Sequence, residues 1–531
     1  MFRFNAFVMV CCGIILSAAL PPLGLYPLAL ALCPLFVLVA TSERPRAAFS
    51  YGFCFGIGFF ALYLIWLPAS FAELYGIFFW LLYPPMLAIL GVFWGIVTGL
   101  SRWVGGYGQR TLWLVTLGWV LMEWARTQGA FGFPWGTLGY MWLGTPLAQL
   151  ADIAGVYGLS LLTLVVVALL ASPFANDEPP DVLLTVRSLL LAVLILGVAF
   201  GYGSWRERSL VTASAMPSEI TEAVDALPYQ ALLVQGNTDA FGRVAGGESE
   251  VSLYSRMTEN AKREVGEAAS DIDLVIFPEF VVSNNNLSFP ASDAYARTMG
   301  RLSEAVGPSS LITGGGALED NLSYNSAYSI ANGGVYDRFD KVYLVPFGEI
   351  FFLINTRVFR PVYRAIFGAF GLPMLSSRSP GREIDPLAIL NSQAGGEALT
   401  ATYICYESVF PQVGRELVNE GAQVLVNISN DAWFGRGAGA RQHFLMGNMR
   451  AIETRRYLLR VGNDGITALV NPLGEVVTEL PRAIQDTLLV GYDLREGRTL
   501  YVRFGDWLVL VVLIAVLVLG TRGLLNQRGY P

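Results

Sequence analysis

The chain alternates between long apolar stretches and one central segment of ordinary polarity. Apolar runs occupy 6–20, 23–40, 49–68, 76–100, 111–127, 155–173, 184–202 and 504–521, each near the roughly 17–25 residues that a bilayer-spanning helix needs. The pattern predicts about eight transmembrane helices. The first run is as short as a signal-peptide core, but further spans follow at once and no small-x-small cleavage pattern closes it, so it reads as retained. The runs divide the chain into a helical membrane domain of seven spans (1–203), a globular domain (204–503) and a C-terminal span with a short tail (504–531).

Within the globular segment the period shortens. β-rich runs at 231–235, 274–277, 310–313, 327–330, 342–345, 399–405, 424–428 and 467–471 alternate with helical stretches at 252–268, 292–306, 409–420 and 441–459. Asn332-Gly333-Gly334 between two runs is a hairpin signal. This mixture predicts a layered α/β domain whose sheets are covered by helices.

Composition agrees with a lipid environment. The 531 residues are 54% hydrophobic and 15% charged, with mean hydropathy +0.49, against roughly 45–50% and about 25% for soluble domains. That excludes an ordinary soluble enzyme and, with 13% aromatic residues, a disordered chain. A net charge of -7 argues against nucleic acid as a partner. Arginine sets the orientation. With a cytoplasmic N-terminus, the inner connections carry Arg3, Arg44, Arg46, Arg102, Arg110, Arg187, Arg522 and Arg528, and the outer short loops carry only Arg126. The globular domain then lies on the extracytoplasmic side, although the acidic stretch 176–181 inside and Arg206, Arg208, Arg495, Arg498 and Arg503 outside run against the rule.

Three counts narrow the chemistry. His443 is the single histidine, so a Ser-His-Asp triad or a poly-His metal site would rest on one residue. Of 35 cationic residues only Lys262 and Lys341 are lysines. Cys11, Cys12, Cys33 and Cys54 lie in the apolar half, which leaves Cys405 alone in the polar one, with no Cys/His spacing suited to a metal. Cys405 stands where a β run meets a helical one, a position that favours thiolate through the helix N-terminus; as a lone cysteine it equally reads as a small buried hydrophobe. Glu279 ends the apolar run 274–278, where desolvation suits a general base; a salt-bridged strand tip is the plain alternative. Lys341, beside a strand, is a compact ammonium suited to an oxyanion. His443 reads as structural or substrate-positioning.

Glu279, Lys341 and Cys405, in that chain order, resemble the catalytic set of the nitrilase (carbon-nitrogen hydrolase) superfamily. Within it, Leu344-Val-Pro-Phe-Gly-Glu349, Cys405-Tyr406-Glu407, Asn427-Ile-Ser-Asn-Asp-Ala-Trp-Phe-Gly435, Gln442-His443, Asn463-Asp-Gly-Ile-Thr-Ala468 and Gln235-Gly-Asn237 resemble the apolipoprotein N-acyltransferase family. Phe133-Pro-Trp135 and Gly155-Val-Tyr-Gly-Leu-Ser160 extend the likeness into the membrane half. The resemblance implies an αββα sandwich beside a membrane domain. It implies a cofactor- and metal-free, two-step transfer: Cys405, deprotonated by Glu279, takes an acyl chain from a phospholipid, usually phosphatidylethanolamine, while Lys341 stabilises the oxyanion. The thioester is then passed to the N-terminal diacylglyceryl-cysteine amine of an apolipoprotein. Glu349 and Glu407 would orient Lys341 or the amine, Tyr406 would follow the nucleophile, and Trp433 would close over substrate. A monomer in a bacterial inner membrane, with its catalytic domain periplasmic, is the expected setting. Phe241 stands nearest to where the family carries Trp, and Tyr343 replaces a His. The alternatives are a membrane-anchored amidase using the same three residues with water as acceptor, and a non-catalytic polytopic scaffold or transporter; few charges lie within the spans, which speaks against the transporter.

Independently of the family, 350–374 has no acidic residue and carries Arg357, Arg360 and Arg364 at helical spacing among apolar residues. That is the pattern of an arm resting in the headgroup layer; a buried core helix is the alternative.

Overall fold

A computed structural model describes residues 2–176, 179–213, 227–244, 246–282, 286–351, 354, 356–369, 377–391 and 395–527. All eight apolar runs are largely helical. Among the described residues four helices, Ile77–Gly105, Pro146–Phe174, Val182–Leu210 and Trp507–Asn526, are long and apolar enough to cross a bilayer. Pro45–Tyr63 and Trp66–Tyr75, bent by 52°, make a fifth if they count as one span. The other runs fold as shorter helices, Arg3–Ser17, Tyr26–Ala40 and Gln109–Ala125. Small residues let these helices approach closely: a Cβ on Gly56 would stand 3.0 Å from the Gly91 Cα.

Among the described residues the globular half contains twelve strands: β1 Tyr229–Gln235, β2 Ile272–Ile276, β3 Ser310–Glu319, β4 Leu322–Ala331, β5 Gly334–Asp340, β6 Leu387–Asn391, β7 Gly396–Ile404, β8 Val424–Ser429, β9 Leu458–Gly462, β10 Ala468–Val470, β11 Val476–Glu479 and β12 Asp486–Tyr492. They form two six-stranded sheets, ordered β12-β1-β2-β3-β4-β5 and β11-β10-β9-β8-β7-β6. In each the central three strands are parallel and the flanking pairs antiparallel. Strand alternation shows how the layers stack. Ala231 and Leu233 of β1 join a core shared with Ala401, Leu425 and Leu459 of the second sheet. Leu232 and Val234, on the other face, join the core beneath helices Glu250–Val265 and Asp293–Val306. Helices Pro411–Asn419 and Gly439–Thr454 cover the outer face of the second sheet. This is the expected αββα sandwich, and the helix Gly439–Thr454 also packs on the membrane helix Ala151–Ala171.

Two sequence expectations need correction. Residues 342–345 are a loop, because the amides of Val342 and Tyr343 donate to the Glu407 carboxylate instead of a neighbouring strand. The helix predicted over 441–459 stops at Thr454: Arg455 adopts a left-handed conformation (φ 56°), and 458–462 turns into β9. The hairpin forms as expected, with Asn332 and Gly333 both at positive φ between β4 and β5.

Candidate active site

The parallel strands of both sheets deliver their carboxyl ends to one place, the position at which α/β sheets build sites. Glu279 follows β2 after Phe277 and Pro278. Its turn is wedged against β3, where Gly314 donates its N–H to the Pro278 carbonyl. The approach requires glycine, since a Cβ there would lie 2.6 Å from the Glu279 Cα. The Glu279 side chain is buried, and both of its oxygens have partners. Oε1 accepts from Asn325 Nδ2 (2.8 Å) and lies 3.3 Å from Lys341 Nζ, while Oε2 accepts from the Asn430 N–H (2.9 Å).

Lys341 follows β5 immediately, 1% exposed, with Nζ 2.9 Å from Glu349 Oε2. Burial opposes its charge, but Glu279 and Glu349 override it and hold the ammonium well above the usual lysine range. Burial likewise works against an ionised Glu349. Lys341, the Val345 N–H and Asn325 outweigh it, and this carboxyl stays below its ordinary value. The Lys341 ammonium is therefore held between the Glu279 and Glu349 side chains.

Cys405 begins the turn after β7, with φ +49° and a buried side chain. The location matches the sequence reading; the expected thiolate does not. Burial first, then the Glu279 charge, pushes the thiol far up, and Lys341 offsets only part of that. The nearby one-turn 3-10 helix Cys405–Val409 is too weak a dipole to outweigh desolvation. The resting group is a thiol next to a carboxylate and an ammonium.

The remaining candidates divide. Glu349 touches Lys341, as expected. Glu407 ion-pairs with no lysine; it accepts from the N–H groups of Val342, Tyr343 and Ile404, tying the segment after Lys341 to the strand before Cys405. Burial raises its carboxyl to about 7. Tyr406 turns toward the membrane half: its hydroxyl donates to the Gly132 carbonyl (2.8 Å) and its ring stacks on Trp135 at 5.7 Å. Trp433 lies in the short turn Asp431–Phe434, edge-on to Phe241 at 5.4 Å. Phe241, noted in place of the family's Trp, thus pairs with the other candidate aromatic. Asn325, which joins Glu279 and Glu349 through one amide nitrogen, escaped the sequence reading. Its signal was faint: an amide amid Ser323, Ser326 and Ser329 in a strand with almost no exposed surface.

Above the site, Phe347 is largely exposed and lies 6.2 Å from Phe131 of the membrane half. The segment 350–374 is described in part. Its helix Phe359–Ala369 exposes Val362, Arg360 and Arg364, and Arg357 and Val358 just before it are exposed too, while Tyr363 packs on Phe351 and Ile354. The buried-helix alternative does not fit that exposure. Among the described residues, no three His, Cys, Asp or Glu side chains are grouped to hold a metal ion.

Residues 12–169 match the family model of the apolipoprotein N-acyltransferase N-terminal domain, and residues 233–500 match that of carbon-nitrogen hydrolases. The chain is 32% identical to the apolipoprotein N-acyltransferase of Geobacter metallireducens, over 95% of this chain and 92% of the relative. It is 31% identical to that of Azotobacter vinelandii (97% and 94%) and 29% identical to that of Nitrosomonas europaea (97% of each).

Proposed function

The chain belongs to the apolipoprotein N-acyltransferase family, and from that premise we propose that Cys405 relays a fatty acyl chain from a phospholipid to the N-terminal amine of a diacylglyceryl-modified apolipoprotein. It is an acyltransferase of the carbon-nitrogen hydrolase superfamily that acts in lipoprotein maturation. In the first half-reaction the Cys405 thiol proton passes to Glu279 as sulfur attacks the ester carbonyl carbon. The oxyanion forms toward Lys341, which already carries its charge and needs no reorganisation. Collapse expels the glycerol oxygen, which takes the proton back from Glu279, and a lysophospholipid leaves. In the second, the acceptor amine attacks the thioester carbonyl and gives its proton to Glu279, and on collapse the departing sulfur takes that proton from Glu279 to leave as the thiol. Glu349 and Asn325 keep Lys341 and Glu279 in register, Glu407 fixes the intervening backbone, and Trp433 with Phe241 borders the acceptor side.

The observation that carries this reading is the roof. Tyr406, next to the nucleophile, is bonded to Gly132 and stacked on Trp135 of the membrane half, an arrangement a soluble amide substrate would not require. Phosphatidylethanolamine is the proposed donor. The proposed setting is a bacterial inner membrane crossed by eight spans, as a monomer, with limits at 1–203, 204–503 and 504–531. The arginine asymmetry of the short loops supports a periplasmic catalytic domain. Mass spectrometry of the purified protein after incubation with phosphatidylethanolamine alone tests the reaction. An acyl mass on the Cys405 peptide, absent in Cys405→Ala, is the expected result; free fatty acid without an adduct would favour the hydrolase.

A further inference from the structure

His443 lies in the helix Gly439–Thr454, fully buried behind the nucleophile. Its Nε2 is 2.9 Å from the Cys405 carbonyl oxygen and 2.9 Å from Ser408 Oγ. Its Nδ1 is 3.1 Å from Arg460 Nη2 and 3.3 Å from Asp431 Oδ1. A carbonyl only accepts, so Nε2 carries the proton and donates to Cys405. Nδ1 then offers its lone pair to Arg460. The charged groups facing the ring are Asp431, in the turn before the helix, and Arg460 on β9; Ser408, Trp135 and Phe434 fill the other sides. Arg460 donates to both Asp431 oxygens (3.0 and 2.8 Å), and Ser429 donates to Oδ1, so that carboxylate is already saturated and makes no strong demand on the imidazole. Burial, followed by the Arg460 charge, lowers the His443 pKa and keeps the ring neutral.

This geometry disqualifies the single histidine as a base toward the sulfur, because its only nitrogen on that side already holds a proton. It also shows what the proton does. Cys405 adopts a left-handed backbone conformation that a non-glycine residue enters at a cost of about 1–2 kcal/mol. The strain persists only where neighbours over-determine it, and two buried side chains do so. Glu407 accepts from the Ile404 N–H before the turn, and His443 donates to the Cys405 carbonyl after it. We propose that His443 is a positioning residue for the nucleophile: as a neutral imidazole with its tautomer set by Arg460, it locks the peptide plane following Cys405 and so aims the sulfur between Glu279 and Lys341. Trp135 lies nearly parallel to both Tyr406 and His443, at 5.7 and 6.3 Å, so the membrane half presses on the same lock.

The inference rests on Cys405 being the nucleophile, and two measurements separate the claims. Because the chain has one histidine, ¹⁵N-histidine labelling of the full-length protein in detergent micelles reports a single imidazole. The expected spectrum is the neutral Nε2–H form throughout about pH 5–8; an Nδ1–H tautomer or a protonation step in that window overturns the proposal without involving any variant. Kinetics then follow acyl transfer onto Cys405 from phosphatidylethanolamine micelles. His443→Leu should lower kcat about 100-fold with KM within about twofold. His443→Gln, whose amide N–H reaches the position of Nε2, should recover at least tenfold of that loss. Equal activity of wild type and His443→Leu, or a Gln variant that melts like wild type yet is as slow as Leu, overturns it. A wild type that never acquires the acyl mass instead refutes the nucleophile.

Discussion

The amide nitrogen of Asn325 supports two carboxylates at once, 2.8 Å from Glu279 and 2.6 Å from Glu349. Hydrogen bonds to charged groups are worth about 1.5–3 kcal/mol. Asn325→Leu, similar in volume, should therefore cut the rate of Cys405 acylation roughly 10–100-fold while leaving phospholipid KM nearly unchanged; an unaltered kcat would show that Lys341 alone organises the pair. The thiol makes a second prediction. Since burial and Glu279 keep it protonated, iodoacetamide should label Cys405 at pH 7 at least about 100-fold more slowly than a free thiol, followed at the level of its peptide, and rapid labelling would mean a preformed thiolate. Glu279 and Cys405 stood out in the sequence because each closes a largely apolar run, and Lys341 because it is one of only two lysines in an arginine-rich chain. Asn325 could not, since a neutral amide in a polar strand announces nothing, and Asn430 contributes to Glu279 through its backbone N–H, which any residue carries. The thiolate expectation failed for a related reason: burial is a property of the fold, invisible at the turn that suggested it.

At the scale of elements, loops placed by side chains were the illegible part. Residues 342–345 have the composition of a strand, yet Glu407, distant in sequence, captures two of their amides. The helix ending at Thr454 is followed by Arg455-Arg456-Tyr457-Leu458-Leu459-Arg460, a stretch without a helix-stopping glycine or proline, which pairing with β8 makes a strand. Glu407 gives this a pH signature. Its carboxyl is raised to about 7 in the folded state, above the unfolded value near 4.3, so the folded chain binds the extra proton. Its stabilisation is complete below about pH 4 and is lost as pH rises through 7. The melting temperature of wild type relative to Glu407→Gln should accordingly fall between pH 5 and about 8, and a difference independent of pH would refute the assignment. Gly314 is the second test. An added Cβ meets the Phe280 nitrogen at 2.5 Å and the Glu279 Cα at 2.6 Å, so Gly314→Ala must push the Glu279 turn out of place. An activity loss of about 100-fold with a stability cost of about 1–3 kcal/mol is expected, and a fully active variant would show the turn to be compliant. The helix Phe359–Ala369 was foreseen from its cationic apolar pattern, and exposed Val362 on it with Val358 just before it predict that fluorophores placed there are quenched by lipid-borne quenchers; full exposure to aqueous quenchers would remove the arm from the membrane.

The whole molecule depends on a seam that no local pattern reveals, although the broad layout of spans around a globular segment was plain from hydropathy. Arg455, in its left-handed turn after the helix Gly439–Thr454, reaches across to Asp152 at the start of a membrane helix (2.8 Å), and Asp152 also receives Arg206 (2.8 Å) and Tyr202 (2.7 Å). Beside it, Glu453 accepts from the Val156 N–H where Gly155 breaks that helix, and Arg450 donates to Tyr140. The helix that holds His443 is thus bolted to the membrane half, whose Trp135 and Gly132 contact Tyr406. Breaking a buried ion pair by removing one partner costs about 3–5 kcal/mol, whereas replacing both by apolar groups is often close to neutral. Asp152→Leu strands a guanidinium whose side chain is 6% exposed and should lower the melting temperature sharply in detergent. Asp152→Leu with Arg455→Met should recover most of that loss, because the buried guanidinium has gone and Arg206, whose side chain is 28% exposed, can turn to solvent. If the bolt serves only stability, the double variant will regain acylation together with its melting temperature. If it also sets the pressure of Trp135 on the nucleophile turn, stability will return while kcat stays depressed, and that second outcome is the one the contact between Tyr406, Trp135 and His443 leads us to expect.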